Sequence, residues 1–274
     1  AKPAPREVEL DRTNPVPTPP FLGARIIQDI PLDEILPYMN EPALFRGRWG
    51  YRRGKLTAAE YEELTETRVR PLYAALLHRS REEKLVKASV AYGYFRAWAQ
   101  GDVVKVEDGD TVYDFPFPRQ TLPPHRCIAD YFKTREEGGD IAGFFVVTLG
   151  DAISQATHKL FTENHYHDYL MLHGFSVELT DALAEYWHEV MRRELGIDTH
   201  RPASVSGYAI QEYQGSRYGF GYPACPDLEA HRAVFALLHP DAIGVTLTEN
   251  MQMVPEQTTS AIIAHHPQAK YFAV

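Results

Sequence analysis

The chain has 274 residues, 44% hydrophobic and 12% aromatic, enough to bury a sizeable core at a length where one core still serves. Its formal net charge of -9, with no basic run longer than Arg52-Arg53, excludes the cationic stripe that a nucleic-acid backbone demands. Cys127 and Cys225 lack CxxC spacing and indicate neither a disulfide framework nor a zinc site. No apolar stretch approaches the roughly 20 residues that cross a bilayer, and the N-terminus is proline-rich and polar, so a soluble cytoplasmic protein with no membrane partner is expected.

Residues 1 to 20 (AKPAPREVELDRTNPVPTPP) carry prolines that fix φ and remove donors, with little apolar side chain to pack. They read as an interdomain linker, which makes 21–274 the globular domain and places other domains of a longer polypeptide upstream. Leu32 to Met39 reads as a short helix interrupted at Pro37, and Ala58 to Arg79 carries apolar residues at helical spacing. Val103 to Val106 and Thr111 to Phe115 flank Asp108-Gly109, a hairpin signal because that pair favours positive φ. Ile141 to Leu149 (IAGFFVVTL) is a continuous apolar run, most simply a strand buried on both faces.

Two long helices are expected next, about Ile153 to Leu172 and Val177 to Leu195, separated at Gly174. The second turns Leu179, Leu183, Tyr186 and Val190 to the core and sets Asp181, Glu185 and His188 on another face. A glycine-proline loop (217–227), a helix from Glu229 to Leu238, and alternating segments Val245 to Met253, Thr258 to Ala264 and Lys270 to Val274, which read as antiparallel strands, complete the chain. The fold class is α+β, a twisted and largely antiparallel sheet with packed helices in one domain.

The most unusual segment is Arg217-Tyr218-Gly219-Phe220-Gly221-Tyr222-Pro223-Ala224-Cys225-Pro226-Asp227. Gly219 and Gly221 permit close backbone approach to a ligand, and Pro223 and Pro226 stiffen the residues after them. Arg217 offers a planar donor fork suited to a carboxylate or phosphate, and Tyr222 an aromatic face with a hydroxyl. On generic features alone, an ordinary tight turn with a surface arginine also accounts for this segment. His158, His165, His167 and His173, with Glu163 and Asp168, invite a metal reading. His165 and His167 point to different sides of a helix and no HExxH occurs, so no metal site is assigned.

Arg217-x-x-x-Gly-Tyr-Pro-Ala-Cys-Pro resembles the signature of the S-adenosylmethionine-binding activation domain of cobalamin-dependent methionine synthase. The likeness extends to Leu183-Ala-Glu-Tyr-Trp-His-Glu, Glu212-Tyr-Gln-Gly-Ser-Arg217, Ser260-Ala-Ile and His266-Pro-Gln-Ala-Lys-Tyr271-Phe272, and to Tyr38-Met-Asn-Glu-Pro near the start. It implies a module that binds S-adenosylmethionine and caps the cobalamin domain of the same polypeptide. There it supports reductive remethylation of inactive cob(II)alamin to methylcobalamin, as part of a methyltransferase, with the electron from flavodoxin or a similar reductase. Carried over residue by residue, the resemblance assigns Arg217 to the ligand's carboxylate, backbone contacts to Gly219, Gly221 and Tyr222, and Asp181 to the ammonium or sulfonium charge. Tyr222 is the catalytic candidate. Tyr271 and Phe272 fall where the family has paired tyrosines, Phe272 without the hydroxyl, and Asn40 stands where better-known members carry an aspartate. The histidine-rich stretch would face cobalamin. Many members continue past the position of Val274 into a further helix, which implies a shorter lineage or a trimmed chain.

Two other readings compete. A self-contained methyltransferase would need a glycine-rich strand-loop-helix element, whereas Gly138-Gly139 precedes a strand. A lid or sensor that binds S-adenosylmethionine and docks on a cobalamin protein without promoting transfer is not separable from the leading reading by sequence.

Overall fold

In the computed structural model, which describes residues 9–274, strand β1 (Gly23–Ile30) leads into a short helix, α1 (Leu32–Ile35), and a 3-10 turn over Leu36–Tyr38 that accommodates Pro37. The first eight residues of the expected linker lie outside the described residues. Helix α2 (Ala58–Leu64) starts on a capping box, Thr57 Oγ1 accepting from the Glu60 N–H while the Glu60 carboxylate accepts from the Thr57 N–H. A π-helical turn joins it to α3 (Arg70–Glu82), so the expected helix is present with one irregular turn. Strands β2 (Ala88–Gln100), β3 (Val103–Asp108), β4 (Thr111–Pro116) and β5 (Asp140–Thr148) come next, then helices α4 (Asp151–Thr162), α5 (Tyr166–Glu194) and α6 (Val205–Ala209). Strand β6 (Ser216–Gly219), helix α7 (Ala230–Leu238), the short strands β7 (Thr246–Leu247) and β8 (Met253–Val254), and β9 (Thr258–Ala264) close the chain.

Seven strands form the main sheet in the order β4-β3-β2-β5-β9-β6, with β1 pairing the first half of β2, and every pairing is antiparallel. The strand period of two divides the side chains between two cores. Val90, Tyr92, Tyr94, Phe145, Val147, Ala261 and Ile263 face α5, while Ala91, Phe95, Phe144, Val146 and Ile262 face α7 and the 127–132 segment. That is why 141–149 is apolar without alternation: it is the middle layer. Patterning alone does not reveal β2, because its small and polar residues (ASVAYGYFRAWAQ) dilute the apolar signal although most of the strand is buried.

Three further departures matter. The helix break falls at 163–165, where Asn164 takes φ 64°, and α5 runs unbroken for 29 residues through Gly174. Gly174 is a packing glycine: a Cβ there would sit 2.9 Å from Arg48 Cβ and 3.3 Å from the Trp49 ring, whose Nε1 donates to Met171 O at 2.9 Å. Residues 270–274 form no strand, and of the segment 245–253 only the β7–β8 pair is extended.

Residues 9–20 contain no helix or strand, yet they lie against the domain. Lys133 Nζ donates to Asn14 O at 2.7 Å, Arg12 Nη1 to Phe132 O at 3.1 Å and the Asp11 N–H to Gln268 Oε1 at 2.7 Å. No helix among the described residues is long and apolar enough to cross a membrane.

Candidate functional site

Helix α5 crosses the sheet beside its β6 edge. Asp181, Glu185 and His188, at helical spacings of four and three, form one stripe, and all three bear on Arg217. Arg217 pairs in register with Ile263, and the alternation that buries Tyr218 in the opposite core turns Arg217 and Gly219 toward α5. The space between is a cavity of about 620 Å³. Its floor is Arg217, Gly219, Thr259 and Ala261, one wall is Asp181 and Glu185, and Tyr208, Gln211, Tyr213, Tyr222, Lys270, Tyr271 and Arg48 close it.

Arg217 Nη1 donates to Glu185 Oε2 at 2.6 Å and to the Tyr213 hydroxyl at 3.4 Å, and lies 3.5 Å from His188 Nδ1. Its side chain is 24% exposed, and these contacts all use one nitrogen, which leaves the rest of the fork for another acceptor. Burial works against the guanidinium's charge, but Glu185, Tyr213 and Asp181 outweigh it and raise its pKa. Burial, then Glu178, pushes the Asp181 carboxyl up to about 6 against the opposing pull of Arg217 and Arg48. Arg48 is itself tied to Glu178 at 2.9 Å. Burial raises the Tyr213 phenol to about 12 and, with Asp181, raises Tyr222 as well. A cation fork and a carboxylate thus line one hollow, an arrangement suited to a ligand carrying both charges.

The loop's glycines serve the protein's own chain. A Cβ on Gly219 would meet the Tyr222 ring at 2.7 Å, so this glycine seats the tyrosine that closes the cavity. Gly221 takes φ 87° and packs against Leu228 outside the cavity. The 211–213 segment is pinned by Lys270, whose Nζ donates to Tyr213 O at 2.9 Å and also to Gln211 O. Gln211 Oε1 accepts from the Tyr271 N–H at 2.8 Å.

Of the expected site residues, Asp181, Arg217, Gly219, Tyr222 and Tyr271 are brought together. Phe272 is buried against Tyr131 and Tyr218 in the core on the other face of the sheet. Asn40 caps a turn, its Oδ1 accepting from the Ala43 N–H at 3.1 Å. Gln211, Thr259 and Arg48 are absent from the sequence expectation, and Glu185, Tyr213 and Lys270 enter it without a role at the site, Tyr213 and Lys270 only inside the segments that carry the family likeness and Glu185 there and on the Asp181 face. The four-residue spacing of Asp181 and Glu185 is the available signal for Glu185. For Tyr213 and Lys270 the signal is their place beside Arg217 and Tyr271 in those segments, whereas Thr259 and Arg48 come from distant segments and leave none.

The family described as "Vitamin B12 dependent methionine synthase, activation domain" matches residues 31–274. The chain is 43% identical over 278 residues to a methionine synthase of Mycobacterium tuberculosis (strain ATCC 25618 / H37Rv), the match covering 94% of this chain. It is 41% identical over 277 residues to one of Mycobacterium leprae (strain TN), again over 94% of this chain. It spans 23% of the length of each. Its fold is that of a solved MetH reactivation domain bound to AdoHcy, with a TM-score of 0.83 at 23% identity, covering 97% of this chain and 86% of that one. With its cavity, its α+β fold and the match over 31–274 taken together, the chain belongs to the family of vitamin B12-dependent methionine synthase activation domains.

Proposed function

We propose that the cavity binds S-adenosylmethionine and that the domain presents its methyl group to cobalamin carried by another domain of the same polypeptide, restoring a methyltransferase stalled by oxidation. The observation that carries this reading is the pairing in one hollow of Arg217, with most of its fork open, and Asp181. The free α-carboxylate and α-ammonium of the methionyl arm match those two charges. A cavity of about 620 Å³ falls within the roughly 300–1,000 Å³ that enclose a small-molecule ligand. AdoHcy, bound by the reactivation domain of the same fold, is what S-adenosylmethionine becomes on losing its methyl group.

Arg217 takes the carboxylate in a charge-assisted pair, and Asp181 takes the ammonium or softens the sulfonium charge. Tyr222 and Tyr271, half exposed at 50% and 43%, offer aromatic faces to the cationic sulfur or the adenine, with Tyr222, which Gly219 seats over the cavity, as the catalytic candidate. Gly219 contributes by seating Tyr222. Gly221, Phe272 and Asn40 act from behind: Gly221 through the turn it permits, Phe272 by anchoring Tyr271, and Asn40 through the turn that leads to Arg48. Cobalamin supplies the cobalt that accepts the methyl group. The chain's own part is to hold the donor in place and keep water from it. An electron from flavodoxin or a similar reductase, in the cytoplasm, completes the partnership.

Calorimetry of the chain with S-adenosylmethionine, then single-turnover mixing with the cobalamin domain, an electron source and methyl-labelled ligand, tests the proposal. Binding heat, no corrin absorbance in the chain alone, and label on cobalamin are expected. Absence of heat at millimolar ligand removes the reading. Binding without transfer leaves a lid or sensor.

A further inference from the structure

Arg192 is the largest wholly buried side chain among the described residues, on the same α5 stripe as Glu185 and His188. Its Nη1 lies 3.8 Å from Glu185 Oε1 and its Nε 3.7 Å from Asp198 Oδ1, and its Cζ sits 3.6 Å above the Tyr213 ring. None of its nitrogens makes a hydrogen bond, and neither does Glu185 Oε1 or Asp198 Oδ1. A guanidinium held this way is a poor means of stabilising a core, since well-packed apolar residues in place of buried ion pairs are often neutral or better. Two of its neighbours, Glu185 and Tyr213, are the groups that grip Arg217 from the cavity side.

The geometry points to Arg192 as a positioning residue that makes the cavity specific for ligands bearing a carboxylate, an inference that rests on the proposed function of the site. Glu185 is shared between two guanidinia, Oε2 toward Arg217 and Oε1 toward Arg192. Alone with Arg217, the Glu185 charge would neutralise it and compete with an incoming anion. Divided, it orients Arg217 through one nitrogen and leaves the fork attractive to a carboxylate. The stacked Tyr213 ring, fixed between Arg192 and the His188 edge at 5.4 Å, sets the second contact. Arg192 touches no cavity space itself, so its effect runs wholly through these two residues.

The test compares S-adenosylmethionine with its decarboxylated form, which keeps sulfonium, amine and adenosine, on the full chain and on the variants Arg192→Met and Arg192→Lys. The wild type is expected to prefer the carboxylated ligand by about tenfold or more, Arg192→Met to lose most of that preference while changing affinity for the decarboxylated ligand by less than about threefold, and Arg192→Lys to fall between. Urea unfolding of Arg192→Met is expected at a lower midpoint than wild type, because Glu185 and Asp198 lose their buried cation, and of Arg192→Lys at a midpoint closer to wild type, with both variants still folded at the temperature of the binding assay. Equal preference in wild type and Arg192→Met, or equal weakening toward both ligands, overturns the role of Arg192 while leaving the cavity's assignment standing. Unfolding of both variants makes Arg192 a structural residue and overturns it too. A wild type that binds neither ligand removes the reading of the cavity and this inference with it.

Discussion

At the scale of single residues, the site is decided by how far each charge is already spoken for. Arg217 gives one nitrogen to Glu185 at 2.6 Å, so under the proposed binding mode Arg217→Ala costs the ligand contact and also one partner of a nearly buried carboxylate. Affinity for S-adenosylmethionine is expected to fall by about 2–4 kcal/mol in calorimetry, and stability by only about 1 kcal/mol in denaturation, because Arg192 still neighbours Glu185. Arg217→Lys recovers part of the affinity, keeping charge without the fork. Asp181 behaves oppositely in stability and in binding. Its folded pKa is raised to about 6 from 3.8, first by burial and then by Glu178, so the folded state holds the extra proton between those values and stability falls as pH rises through that window. In the proposed binding mode the ligand's ammonium pairs with the ionised form, so affinity is expected to climb between about pH 5 and about pH 7. Asp181→Asn should flatten that climb, weaken binding at neutral pH and leave the fold at least as stable. A pH series of both measurements on wild type and variant checks the sign.

At the scale of elements, α5 carries the largest difference between expectation and structure. Glycine reads as a helix breaker because it costs about 1 kcal/mol against alanine in an exposed helix, yet Gly174 lies in mid-helix where Arg48 Cβ and the Trp49 ring leave no room for a methyl group. Gly174→Ala is therefore expected to destabilise by about 1–2 kcal/mol despite its better propensity, and a chemical denaturation curve decides the sign. The hairpin at Asp108-Gly109, the buried strand at 141–148 and the 3.6-residue patterns of α3 and α5 are legible in the sequence, because each is set by local spacing or by burial on both faces. β2 is not, because Ala, Ser and Gly make up nearly half of this central strand and their burial is evident only from what packs on them. β6 reads as loop for a related reason: four residues become a strand only by pairing with β9. The same holds for the site. The signature loop and Asp181 are visible from sequence, whereas Tyr213, Lys270 and Arg48 come together only through the tertiary fold.

At the scale of the whole molecule, one sheet separates two cores and residues 9–20 strap across its 133–140 and 265–268 corner. Asp11, Arg12, Asn14 and Val16 each contact the body, and His266 Nε2 meets Asp11 O at 2.9 Å. A chain starting at Phe21 is thus expected to lose about 2–4 kcal/mol in urea unfolding relative to the full one, and an unchanged midpoint would make the segment a passive tether. The unbroken 29 residues of α5 carry a different consequence. At 1.5 Å per residue the helix is about 43 Å long, with the Trp49 seam near one end, the cavity wall in the middle and Arg192 near the other. A single such rod cannot open at one end independently of the next without losing both seams. Amide hydrogen exchange along 171–192 should accordingly proceed as one cooperative unit, and occupancy of the cavity should slow it over the whole length of the rod, well beyond the turn that touches the ligand.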